Sequence, residues 1–159
     1  MASTLRAKDF MVTRLVTLCP EMDVLEAVRL LLKNRISGAP VVDRDGLYLG
    51  VFSEKCSMHV ILDAAYDQLP TNEVRAFMDS GAQTIPPEAD LLTIAQVFLL
   101  TPFRRLPVID EKGKLLGQVS RRDVIRAAMD ALDLDSQPVR EKSLLYLSAI
   151  FERSDSPVV

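Results

Sequence analysis

The chain has 159 residues, of which 48% are hydrophobic and 26% charged, with a net charge of −3 at pH 7. That is the balance of a globular chain able to bury a core. Its acidic sign argues against a broad nucleic-acid or anionic-membrane surface, and two cysteines with one histidine make neither a disulfide framework nor a good metal set.

The first ten residues, MASTLRAKDF, lack the apolar stretch of a secretory signal. No later run reaches the roughly 18 apolar residues that span a bilayer. Cys19 and Cys56 read as small apolar filler in a reducing cytoplasm. Leu15–Pro20 is a short extended stretch ending in proline. Asp23 is a natural N-cap, with Glu26 three residues on as in a capping box. Val24, Ala27, Val28, Leu31 and Leu32 then recur at helical spacing, predicting one apolar stripe against a core. Ala39–Asp43 is β-rich, with Pro40 near its start, where a missing N–H costs least. Asp45-Gly46 signals a hairpin turn, and Tyr48–Ser53 is the returning strand. A second helix is predicted over Glu54–Tyr66, with the lone His59 on its surface or at an interface.

The same order then repeats. Sliding the chain by 67 positions lays residues 6–62 on 73–129 without a gap, and 15 of those 57 positions are identical. The matches include Phe10-Met11 with Phe77-Met78, Asp23 with Asp90, Pro40-Val41 with Pro107-Val108, Gly50 with Gly117 and Ser53 with Ser120. The unit is too long for a solenoid repeat and fits a duplicated small domain whose halves share their burial. The second copy predicts an extended start over Thr84–Pro87, strands over Leu106–Asp110 and Leu115–Ser120, and a helix over Arg121–Leu134. The fold class is α/β, two tandem β-α-β-β-α units: 6–66, a linker over 67–72 holding Pro70, then 73–134. Pro138 suits the first turn of a further helix over 138–153, with Leu144, Leu147 and Phe151 as its stripe.

Ser120-Arg121-Arg122-Asp123 stands where a strand turns into a helix. Read physically, Ser-x-x-Asp is a capping box. The same carboxylate suits the two hydroxyls of a ribose cis-diol, and the two uses are compatible. Arg104 and Arg105 precede Leu106-Pro107; they are either solvated surface residues or phosphate donors, whose bidentate forks fit phosphate well. Arg121 and Arg122 sit badly for the helix dipole, a weak hint of an anionic partner.

With SGAPVVD (37–43), RRLPVID (104–110) and GQVSRRDV (117–124), this order resembles the CBS domain family. The resemblance covers most of residues 6–129. It implies two units packed through their sheets as a pseudo-two-fold module with two clefts. Those clefts hold adenosine-containing ligands, of the AMP, ADP, ATP or S-adenosylmethionine class. It implies ribose contacts from Ser120 and Asp123 and phosphate contacts around Arg104 and Arg105; Arg121 joins the candidate ligand-binding residues on its place at the helix start alone. The adenine would be held near Thr84 and Ile85, with Pro107, Ser37, Gly38 and Thr17 also lining the site. The first unit departs from the pattern: Cys56 stands where Asp123 does, and Ser37-Gly38 where Arg104-Arg105 do. One cleft has therefore lost its ribose anchor, and one nucleotide per chain is expected.

Nothing here makes an enzyme: one histidine supplies no triad, and there is no Walker loop and no G-x-G-x-x-G. The reading is a regulatory module that senses an adenosine nucleotide, needs no cofactor, forms a homodimer through the helices after the hairpins, and acts on an unidentified enzyme or transporter. The alternative is a ligand-free dimerisation or scaffold module. Few aromatics and no tryptophan count against a single-stranded nucleic-acid binder.

Overall fold

The computed structural model describes residues 4–66 and 72–134. The predicted helix over 138–153 and most of the predicted linker lie outside them.

Each unit is an antiparallel hairpin flanked by two helices. In the first, α2 (Val24–Asn34) leads to β1 (Gly38–Val42), β2 (Tyr48–Ser53) and α3 (Glu54–Ala65). In the second, α4 (Leu91–Leu100) leads to β3 (Arg105–Ile109), β4 (Leu115–Ser120) and α5 (Arg121–Leu134). A one-turn helix α1 (Ala7–Phe10) precedes the first unit and a 3-10 turn, Val74–Ala76, precedes the second. The hairpins pair in the same register, Ala39 opposite Phe52 and Leu106 opposite Val119, with a matching irregularity at Val41/Val42 and Val108/Ile109. Gly46 and Gly113 turn them with φ of 81° and 82°, a conformation glycine adopts without a Cβ penalty. The predicted opening strands are reduced to one bridged residue each: Leu18 lies parallel to Val41 and Ile85 to Val108. Pro20 and Pro87, two residues on from the bridged positions and lacking an N–H, stop those ladders from lengthening.

The caps explain where the helices begin. Asp23 accepts from the Leu25 and Glu26 amides at 2.9 and 3.2 Å, and among the described residues Glu26 makes no return bond. Asp90 accepts from the Thr93 amide and hydroxyl at 2.9 and 2.8 Å. Burial pushes its carboxyl up, but the Thr93 bonds and neighbouring amides prevail and hold it below the usual carboxylate range. Val24, Ala27 and Leu31 are buried as the spacing predicts, whereas Leu32 is 73% exposed. It belongs to the outer edge of the helix, not to the stripe.

There are two cores, and each is completed by the other unit. Leu18, Val24, Val41, Phe52 and Val60 form one, and Val74 joins it with Phe77 and Met78. Ile94, Leu106, Val108 and Val119 form the second, and Ala7 joins it with Leu5, Phe10 and Met11. The segments leading into the two units have therefore exchanged places. Val12 crosses to β4, trading backbone hydrogen bonds with Gln118 at 2.9 Å each way; Asp79 does the same with Val51 at 2.8 and 3.0 Å. The crossings need glycine. A Cβ on Gly117 would lie 2.8 Å from the Val12 carbonyl oxygen, and one on Gly50 would lie 2.6 Å from that of Asp79. The hairpin tips also meet, with Tyr48 donating to Gly113 and Leu115 to Gly46. These pairings obey the 67-residue shift, so they define the pseudo-two-fold relation between the units.

Candidate functional site

The crossing of the leading segment over the second hairpin opens a cleft of about 270 Å³ between the units. From the leading segment come Val12, Arg14, Leu15 and Val16; from β1 and the turn before it, Ile36, Gly38 and Pro40; from the second hairpin and the start of α5, Arg105, Gln118, Ser120 and Asp123. Arg105 pairs in register with Ser120, which fixes the arginine beside the β4–α5 junction.

At that junction the capping box is closed. Asp123 Oδ2 accepts from the Ser120 amide and hydroxyl, both at 2.8 Å, and Ser120 Oγ accepts from the Asp123 amide at 3.2 Å. The side chain of Asp123 is 13% exposed, and the cation recorded beside its Oδ1 is Arg126, at 3.9 Å. One carboxylate oxygen thus holds the helix start and the other retains accepting capacity.

The matching junction of the first unit is chemically different. Ser53 Oγ accepts from the Cys56 amide at 3.3 Å and lies 3.3 Å from Cys56 Sγ, which turns to the Val51 carbonyl at 3.8 Å. Ser57 Oγ donates to the Ser53 carbonyl at 3.1 Å. The thiol is buried and faces backbone, so this junction presents no carboxylate. Cys19, by contrast, is exposed rather than packed as filler.

The residues named from sequence do not all converge. Asp123, Ser120, Arg105 and Gly38 line the cleft. Arg121 turns away to α4, where its guanidinium stands 6.0 Å from the Phe98 ring centroid and donates to the Phe98 carbonyl at 3.3 Å. Pro107 is fully buried. Arg104 is exposed, and Ser37 supplies its carbonyl to the Glu54 amide at 2.9 Å. Thr84 and Ile85 line a separate open hollow of about 560 Å³ with Glu88, Asp110, Glu111 and Lys112. That hollow is larger but suits an anionic ligand poorly: three carboxylates oppose one lysine, and Asp110 is already used by the Lys112 and Lys114 amides, each at 2.9 Å. Sequence reasoning missed Arg14, Val16 and Ile36. Arg14 has glycine at its matching position, Gly81, so the repeat gave no signal for it.

The CBS domain model matches residues 7–55 and 74–130. The chain belongs to the CBS domain family. Among its relatives is an uncharacterized protein of Methanocaldococcus jannaschii, 29% identical over 150 residues, covering 76% of this chain and 89% of that one. Another is the chloroplastic CBS domain-containing protein CBSX1 of Arabidopsis thaliana, 31% identical over 135 residues, covering 69% of this chain and 57% of that one. Among solved structures, CBSX2 in complex with AMP superposes with a TM-score of 0.68 at 30% identity, covering 79% of this chain and 96% of that one. The tandem CBS pair is thus the architecture of this chain. Among the described residues no helix is long and apolar enough to cross a membrane, and no cluster of three or more metal-ligating side chains occurs.

Proposed function

We propose that this CBS pair is a regulatory module that binds one adenosine nucleotide per chain in the cleft between its units. The observation that carries the reading is the gathering of Asp123, Ser120 and Arg105 around a single opening. Asp123 and Ser120 suit the ribose diol, Arg105 suits phosphate, and Ile36, Val16 and Pro40 give the apolar wall that a base needs. The AMP complex of CBSX2 supports the ligand class. Ser120 and Asp123 spend their mutual hydrogen bonds on the start of α5, so in this reading the nucleotide is sensed, not consumed. Its occupancy would bias how the two units sit together and so act on a partner enzyme or transporter.

Self-association is part of the same reading. Met58, Ile61 and Leu62 on α3 and Ile125 and Met129 on α5 are all more than half exposed. Met58 matches Ile125 and Leu62 matches Met129 under the repeat shift, so both helices carry the same apolar face. Exposed faces of this kind mark interfaces.

Calorimetric titration with AMP, ADP, ATP and S-adenosylmethionine tests the proposal. One site is expected, and Asp123→Asn should weaken it about ten- to a hundred-fold, the loss of a charged hydrogen-bond partner. No binding of any of the four would favour the scaffold alternative, which the Cys56 junction already supports for the other cleft.

A further inference from the structure

We infer that Arg14 reads the charge of the ligand, making the cleft selective for a phosphate-bearing adenosine compound over a neutral or cationic one. The inference rests on the adenosine-site reading above and adds to it a residue and a direction of selectivity.

Arg14 and Arg105 enter the cleft from different parts of the chain, one from the crossing segment and one from β3. Among the described residues neither guanidinium makes an ion pair or a hydrogen bond; the recorded pairs use Arg75 and Arg126 instead. The one acidic side chain in the lining is Asp123, and its Oδ2 is occupied by Ser120. The cleft thus carries two unneutralised cations against one carboxylate. A phosphate would answer that excess. S-adenosylmethionine would not, because its sulfonium and ammonium outweigh its single carboxylate.

Arg14 is also not required by the fold. The repeat places Gly81 at the matching point of the other crossing, and that segment reaches its partner strand just as well through Asp79 and Val51. Arg14 is exposed, so it does not hold a core together. It stands two residues beyond the Val12–Gln118 rung, whose two hydrogen bonds fix the segment against β4. Its side chain is therefore delivered to the cleft by backbone pairing and is free to meet an anion there. A phosphate held by Arg14 and Arg105 together would span both units, whereas the nucleoside portion alone would not engage either arginine.

The test is titration of adenosine, AMP and S-adenosylmethionine into the full chain and into Arg14→Met. The wild type should bind AMP about tenfold or more tighter than adenosine, with S-adenosylmethionine weakest. Arg14→Met should lose most of that ratio by weakening AMP while leaving adenosine within about twofold, and AMP binding should lose part of its salt dependence. Equal binding of adenosine and AMP by the wild type would overturn the inference and leave the adenosine site standing. So would an equal loss of both ligands in Arg14→Met, which would mark a structural role, or an unchanged ratio. Failure of all three ligands to bind the wild type would overturn the adenosine site and this inference together.

Discussion

Cys56 and Asp123 occupy the same step of the two strand-to-helix junctions, and each accepts from the hydroxyl of its serine, but only Asp123 does so with a carboxylate. Ser120 donates to the Asp123 carboxylate at 2.8 Å, whereas Ser53 lies 3.3 Å from a thiol that is itself turned to the Val51 carbonyl. Cys56→Asp should therefore rebuild a capping box on Ser53 and a diol acceptor in the first unit. Because Gly81 stands where Arg14 does, the restored site should be the weaker one for AMP. A second, weaker binding step in calorimetry is the expected result; a single unchanged step would show that more than the carboxylate was lost.

Gly117 allows the leading segment to reach β4. Gly117→Ala puts a methyl group 2.8 Å from the Val12 carbonyl and from Met11 Sδ. The backbone contact cannot relax without loss of the Val12–Gln118 rung. Unfolding in urea should show a loss of about 1–3 kcal/mol, and ligand binding should weaken as well, since Arg14 rides on that rung.

Tyr48 carries a buried hydroxyl with no hydrogen-bond partner among the described residues. Burial, and then the negative charge of Asp79, push its pKa from 10.0 to about 12. Well below its ordinary pKa of 10.0 the group is neutral in folded and unfolded chains, so its titration leaves stability unchanged there. Above that, the unfolded chain releases its proton first, and stability falls as pH rises from about 10 to about 12. Although the hydroxyl itself is buried, the residue as a whole is only half-buried, so solvent screening keeps this loss to about 1 kcal/mol or less. Tyr48→Phe should flatten that alkaline loss in denaturant melts and raise stability at pH 7 by up to about 1 kcal/mol, because it removes an unsatisfied polar atom.

The apolar faces of α3 and α5 predict a dimer. Light scattering at micromolar concentration should give twice the chain mass, and Ile125→Glu should return it to one. Ile125 is 65% exposed, so that change should leave the monomer folded.

Much of this was legible in sequence because it is local. Gly46, Asp23, Asp90 and the Ser120–Asp123 spacing report turns and caps within a few residues of themselves. The fold class followed from their order, and the asymmetry at Cys56 from laying one copy on the other. What was not legible is which copy supplies which wall. The Val12–Gln118 rung is made by backbone atoms, which leave no trace in residue type, and it joins residues far apart in the chain. Arg14 and Ile36 reach the cleft only through that rung and the hairpin beyond it, so no spacing rule could have named them. Thr84 and Ile85 lie away from this cleft for a related reason: the extended stretch was recognised, but not the side of the hairpin it flanks. Arg121 points to α4 because Phe98 offers it a ring and a carbonyl, a tertiary contact that overrides its place in the motif.

The exchange of leading segments predicts that the halves are not independent. A fragment ending at residue 66 lacks Val74, Phe77 and Met78; its complement lacks Leu5, Ala7, Phe10 and Met11. Separately, neither should melt cooperatively by circular dichroism. Mixed in equal amounts they should recover a single transition, and independent melting of either half would contradict the exchange.

The same exchange bears on ancestry. Two separate copies of one unit, swapping leaders about a true two-fold axis, would make the same interlocked arrangement as a symmetric pair. In such a pair every substitution appears twice, so a change that spoils one cleft spoils both. Fusion into one chain removes that tie. Only then can one junction drift to Cys56 while the other keeps Asp123, and only then can Arg14 arise opposite a plain Gly81. The interlock preserves the shape of the pair, and the covalent join leaves its two openings free to take separate careers.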